Sequence, residues 1–232
     1  MLVSSNIGQN SSVPFKTMRL FDLGLNSDVT SGRLKLESVF YSTNDMNRAE
    51  DILRYTEERY DTDVVEPLCA CWPHGHQYPL LEFMRKYSRQ NEDCFNKITS
   101  YCIRFARSEM NCVPRELQYE MWRSTRDDIP FRSMYEKKWM DFAVVDLLPY
   151  IYFLQYKTYG NLQRRQDQQL ALIGLAITIH VSANFGHRET ALNLLGQCME
   201  QESRLVEALH YYLMSLKQRQ KTMQQNGIFL LH

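Results

Sequence analysis

Apolar residues recur along this chain at helical spacing, and the breaks between the runs mark where helices fold back. Leu34, Leu36, Val39, Phe40 and Tyr41 form one stripe, which stops at Thr43-Asn44-Asp45. Ala49, Ile52, Leu53 and Tyr60 form a second, and Asn26-Ser27-Asp28 supplies capping residues ahead of the first. The two stripes predict a helical hairpin over about 28–60. Pro67, Pro73 and Pro79 with Gly75 forbid a continuous helix beyond it, so 61–80 reads as a connection. Helical periodicity returns in Leu80–Tyr87 and in Cys94–Phe105, where Cys94, Ile98, Tyr101, Cys102 and Phe105 share a face. Pro114 suits the first position of a helix running through Leu117, Tyr119, Met121 and Trp122, ended by Asp127-Asp128-Ile129-Pro130.

The second half of the chain is more regular. A long apolar helix is predicted from Val144 to Leu162, then a loop, then a helix from Gln168 to about Ile179. Asn184–Gly186 interrupts, and two further helices follow over 188–201 and 204–224. No stretch alternates with period two for long enough to predict a strand, so the expected class is all-α. The expected layout is a polar, disordered tail over 1–19 and one domain over 20–222, followed by a second tail over 223–232. Within the domain, hairpins at about 28–60, 144–180 and 188–222 enclose an irregular helical insert at 61–143.

Two of these hairpins share internal offsets. Leu36, Phe40, Ala49, Leu53 and Thr56 are separated just as Leu195, Met199, Ala208, Tyr212 and Ser215 are. Ala49 and Ala208 are small where the second helix would cross the first closely, and Gly196 beside Leu195 also permits close approach. The 144–180 segment is a degenerate third copy, in which Leu162, Ala171 and Leu175 keep the offsets while Thr158 and Tyr159 replace the Leu-Gly pair.

Composition narrows the function. The chain has 232 residues, and 27 Lys+Arg balance 27 Asp+Glu, so no basic surplus points to nucleic acid or an anionic membrane. Only 9 Gly and 7 Pro fit helices better than a turn-rich β fold. The sequence holds no apolar run of about 18 residues, hence no expected membrane span. The N-terminus lacks the cationic start and apolar core of a secretory signal, so a cytoplasmic location with free thiols is expected.

Residues Ala191-Leu192-Asn193-Leu194-Leu195-Gly196 and Glu207-Ala208-Leu209-His210-Tyr211-Tyr212 together resemble one complete tetratricopeptide repeat. The proline that often closes such a repeat is replaced by Gln220, and the first hairpin has Glu37 at the glycine position. The resemblance implies hairpins stacked as an α-solenoid. A broader resemblance rests on Phe21-Asp22-Leu23-Gly24-Leu25-Asn26-Ser27-Asp28-Val29-Thr30-Ser31-Gly32, Gln90-Asn91-Glu92-Asp93-Cys94, Asn111-Cys112-Val113-Pro114-Arg115-Glu116 and Gly186-His187-Arg188-Glu189-Thr190-Ala191-Leu192-Asn193. These strings are similar to a C-terminal helical region of large molluscan proteins of the male-abnormal family, which are relatives of cyclic GMP-AMP synthase. That resemblance implies a fragment, or a stand-alone copy, of an accessory module without its nucleotidyltransferase domain.

Candidate chemistry is sparse. Cys69, Cys71, His74 and His76 carry metal-ligand side chains, but Cys-x-Cys and His-x-His are tighter than structural zinc spacings, so they are weak candidates. Asp61-Thr62-Asp63 and Asp127-Asp128 lack the strand and phosphate-binding turn that a nucleotidyltransferase would need. No phosphate-cradling glycine loop and no His-Glu-x-x-His pair occurs, so no enzyme activity and no cofactor are expected. The partner surface is the better candidate. On a tetratricopeptide-like first helix, Thr190, Asn193, Gln197 and Glu200 would line the concave groove and bond the backbone of an extended protein or peptide partner. The alternative is a nucleotide- or RNA-contacting surface built on Arg85, Lys86, Arg89 and Arg104, which nearby acidic residues offset.

Overall fold

The computed structural model describes residues 30–60, 102–122, 142–181 and 186–225. Among them the chain is mostly helical. The helices are α1 (Ser31–Ser42), α2 (Met46–Arg59), the one-turn α3 (Arg115–Gln118), α4 (Leu147–Asn161), α5 (Arg165–Val181), α6 (Arg188–Gln201) and α7 (Leu205–Gln225). Two strands, β1 (Cys102–Ala106) and β2 (Phe142–Asp146), form an antiparallel pair. The predicted tail over 1–19, residues 226–232 of the second tail and most of the insert 61–143, including 80–101, lie outside the described residues, while residues 223–225, expected to belong to that second tail, continue α7.

Three helical hairpins, α1–α2, α4–α5 and α6–α7, turn in the same way. The second residue after each first helix enters a left-handed conformation, with φ of 63° at Asn44, 59° at Gln163 and 60° at Ser203. The next amide then reaches back five residues: Asp45 N to Phe40 O at 2.8 Å, Arg164 N to Tyr159 O at 2.9 Å, and Arg204 N to Met199 O at 2.8 Å. This is the Schellman arrangement, which satisfies carbonyls that the helix end would otherwise leave open. Because the left-handed residue fixes the register, it aligns all three hairpins. Leu36, Phe40, Ala49 and Leu53 align with Leu195, Met199, Ala208 and Tyr212, as their offsets require, and all but the part-buried Tyr212 are buried. The middle hairpin aligns three residues away from the expected register. Gln155, Tyr159, Gln168 and Leu172 take these places, rather than Thr158, Leu162, Ala171 and Leu175. Gln168 is large where the other hairpins have alanine, and Gly160 makes room: a Cβ there would lie 2.5 Å from Gln168 Nε2.

Gly196 has a similar role in the last hairpin. A Cβ at this position would lie 2.5 Å from Cε1 of Tyr212, so glycine lets the ring seat against α6. Gly196→Ala gains about 1 kcal/mol of helix propensity but forces the ring outward, at about 1–3 kcal/mol. We expect a net loss of about 1 kcal/mol, read as a melting temperature lower by roughly 2–4 °C.

The strands correct the expectation of a helix through Phe105 and of one starting at Val144. β1 alternates, with Ile103 and Phe105 buried, Arg104 exposed and its end residues part-buried. β2 pairs with it from Cys102↔Asp146 to Ala106↔Phe142, and its Ala143, Val144 and Val145 are all buried. Five residues of alternation and a short continuous apolar run carry little periodic signal, and pairing across a long sequence gap decided the outcome. After Pro114, helix α3 lasts one turn and gives way to a 3-10 turn over Tyr119–Trp122, so the expected continuous helix to Trp122 is broken.

One core joins these parts. Leu34, Leu53, Ile103, Phe105, Val145, Tyr150, Phe153, Leu175 and Leu195 belong to a single buried cluster. Phe105 meets Tyr150 edge-on at 5.9 Å between ring centroids. The hairpins are also tied in chain order. Arg164 pairs with Glu50 of α2, and Arg165 forks onto Glu202 with one bond of 2.8 Å, while the Tyr156 hydroxyl donates to Glu202 at 2.8 Å. The Arg165 bonds hold the Glu202 carboxyl below its usual range.

Candidate functional site

A cavity opens where α6 meets the irregular segment that follows β1. That segment runs through a 3-10 turn (Arg107–Cys112), Pro114, α3 and Tyr119–Trp122, and its own polar atoms close it. Gln118 Nε2 donates to Met110 O at 3.1 Å and to Val113 O at 2.9 Å, and the Arg107 guanidinium donates to Met121 O at 3.1 Å. At the segment's start, one Glu109 oxygen accepts the Ala106 amide at 2.8 Å and the other accepts Lys35 Nζ at 2.9 Å.

The segment is strapped to α6 by the residues expected to face a partner. Asn193 Nδ2 donates to Glu120 Oε1 at 2.7 Å, and Gln197 Nε2 donates to Glu116 O at 3.1 Å. From α4, Lys157 Nζ pairs with Glu116 Oε1 at 2.5 Å and bonds Gln201 Oε1 at 2.8 Å. The space left between these anchors is a pocket of about 660 Å³. Glu116, Glu120 and Glu200 line it against the single ammonium of Lys157, and Tyr119, Phe153 and Tyr212 supply apolar wall. Tyr119 is 72% exposed at the rim. The Tyr212 hydroxyl donates to Glu200 Oε2 at 3.0 Å; burial, then this bond, raises its pKa. Gln197 Oε1 is buried with no hydrogen-bond partner among the described residues.

Three of the four expected groove residues, Asn193, Gln197 and Glu200, therefore meet in one pocket. Thr190 does not. It is fully buried in the first turn of α6, so the expectation that it faces the groove is corrected. Asn193 and Gln197 differ from expectation as well, since their amide donors are spent on the chain's own segment. The contribution of Glu116, Glu120 and Tyr119 was missed. The sequence placed 115–120 on an ordinary helix, and no local pattern signals that the segment folds across α6.

Cys69, Cys71, His74 and His76 lie outside the described residues, as do Arg85, Lys86 and Arg89. Among the described residues no group of three or more His, Cys, Asp or Glu side chains is placed to hold a metal ion, and no helix is long and apolar enough to cross a membrane. Arg104 is exposed on β1, with its guanidinium 4.7 Å from the centroid of the Phe142 ring. Cys112 and Cys198 are buried, and burial pushes the Cys198 thiol well up, away from the reactive thiolate. Compared with family models, curated proteins and solved structures, the chain matches none of them.

Proposed function

We propose that this chain is a non-catalytic protein–protein interaction scaffold. Its hairpins stack as a tetratricopeptide-like solenoid, and it serves as the accessory module of a larger nucleotidyltransferase-like innate-sensing protein. One observation carries the reading: the first-helix residues Asn193, Gln197 and Glu200 converge on a pocket with an acidic surplus and an exposed aromatic rim. The common turn and register of the three hairpins support the repeat architecture, because one register repeated gives each hairpin the same faces for stacking.

The lining suits a cationic side chain on an extended peptide. Glu116 and Glu200 offer charge-assisted acceptors, and Tyr119 can cover a guanidinium or ammonium. Selection of displayed random peptides on the purified chain tests this reading. Enriched sequences should carry Lys or Arg, and Glu200→Lys should weaken them about tenfold, equivalent to about 1.4 kcal/mol. Tyr119→Ala should weaken them as well, with helical circular dichroism unchanged in both variants. Absence of enrichment, or enrichment indifferent to both substitutions, would count against the pocket as a partner site.

A further inference from the structure

Among the described residues that line the pocket, Lys157 is the cation, and its charge is already in use. Its Nζ reaches across from α4 to Glu116 Oε1 at 2.5 Å and to Gln201 Oε1 at 2.8 Å. The ion pair is sheltered, with the Lys157 side chain 13% exposed and that of Glu116 21%. Of the other two carboxylates, Glu120 is buried with Oε1 held by Asn193, and Glu200 is exposed and accepts from Tyr212. A pair in open solvent adds little, whereas a sheltered carboxylate attracts a cation more strongly. The place where an incoming cation would gain most is therefore the one that the chain's own ammonium fills.

That ammonium is not what keeps the segment in place. Val113, Leu117 and Met121 anchor the segment in the main buried cluster, and Asn193 and Gln197 bond it from α6. Lys157 carries its charge on a flexible alkyl stem, so the head can swing to solvent while the stem stays against the protein. Replacing its ammonium by another cation keeps Glu116 paired and abandons no sheltered charge.

We infer that Lys157 is a built-in competitor: its ammonium occupies the pocket's cation subsite on Glu116, and a partner's arginine or lysine enters by displacing it. This rests on the reading of the pocket as a site for a cationic peptide side chain, and adds how that site is regulated. A pocket that is open for only about a tenth of the time binds its ligand about tenfold more weakly than one that is always open. Lys157 thus sets a threshold that an isolated cation fails to pass. Peptides that also gain contacts at Tyr119 and Glu200 pass it, which makes the competitor a device for specificity.

A fluorescein-capped tri-arginine amide is a suitable probe, because it carries cationic side chains and no primary amine. Fluorescence anisotropy should show Lys157→Met binding it about tenfold or more tightly than the unsubstituted chain. Helical circular dichroism should be unchanged, since methionine keeps an unbranched, flexible stem. Loss of a positive charge would by itself favour a cationic probe, so a second measurement separates displacement from simple attraction. Acetylation of Lys157 by an N-hydroxysuccinimide ester, read by mass spectrometry, should rise severalfold at saturating probe, as the ammonium is released to solvent. Lys35, which pairs with Glu109 outside the pocket lining, should label equally with and without probe. Lys157 labelling that stays level or falls on binding overturns the inference, as does a variant that binds no more tightly; both results leave the cation pocket standing. A probe that binds the variant alone supports the inference. A probe that binds neither chain removes the reading of the pocket as a cation site, and the inference with it.

Discussion

Phe153→Ala is expected to lower the stability of the folded chain by about 3–5 kcal/mol, the usual cost of emptying a buried aromatic site. Phe153 is fully buried in α4, its ring stacks on Tyr150 with centroids 6.2 Å apart, and it also forms part of the pocket wall. The site sits where helix, strand pair and last hairpin meet, so relaxation of one element would disturb the others and the cavity cannot close cheaply. Thermal denaturation should show a melting temperature lower by roughly 6–20 °C. Phe153→Leu, which refills much of the volume, should recover more than half of the loss. Equal losses for leucine and alanine would mean that shape, not volume, dominates the site. A loss below about 1 kcal/mol for alanine would contradict the main buried cluster that joins these elements.

Asp146→Asn is expected to act in the opposite direction at neutral pH. Asp146 ends β2 and is almost wholly buried, and Oδ2 accepts the His187 amide at 3.0 Å where α6 begins. Burial pushes its carboxyl up to about 6, against the opposing influence of the His187 charge and of the amides it accepts. With an ordinary value of 3.8 in the unfolded chain, the folded state prefers the protonated form. Stability from this group is therefore fully present below about pH 4 and is lost as pH rises through about 6. A shift of about two units corresponds to roughly 3 kcal/mol at most. Asparagine keeps an acceptor for the His187 amide and removes the buried charge, so at pH 7 we expect a gain of about 1–2 kcal/mol, part of the total being offset by its own buried amide. Urea unfolding at pH 4, 5, 6 and 7 reads this directly: the decline across that range should be smaller in the variant. An unaltered pH profile would show that Asp146 ionises normally in the fold. Glu37 belongs to the same class, since it is fully buried on α1 with Oε2 unpartnered, and burial raises its carboxyl well above the ordinary range.

Local pattern carried the parts of this fold whose information is local. The breaks at Thr43-Asn44-Asp45 and Gln163–Asp167 locate two hairpin turns, and the shared offsets of the first and last hairpins follow from the residues alone. Helical periodicity and turn chemistry act over a few residues, so one sequence displays them. The middle hairpin was read three residues out of register because Gln168 occupies an alanine position. That is legible only once Gly160 is seen to give it space across the turn.

The sequence by itself determined the helical hairpins, their order, and Asn193, Gln197 and Glu200 as neighbours on one helical face. Tertiary structure alone decided the rest. It made Cys102–Ala106 a strand because Phe142–Asp146 pairs with it, and it laid residues 107–122 across α6 so that Asn193 and Gln197 bond the chain itself. It buried Thr190, which the tetratricopeptide-like reading had placed in the groove, and it left Val206, Leu209, Leu213 and Leu216 exposed on the last helix. The physical reason is common to all four. Periodicity reports which residues share a face, whereas the neighbour of that face is set by contacts between segments far apart in sequence, whose pairing no local pattern encodes.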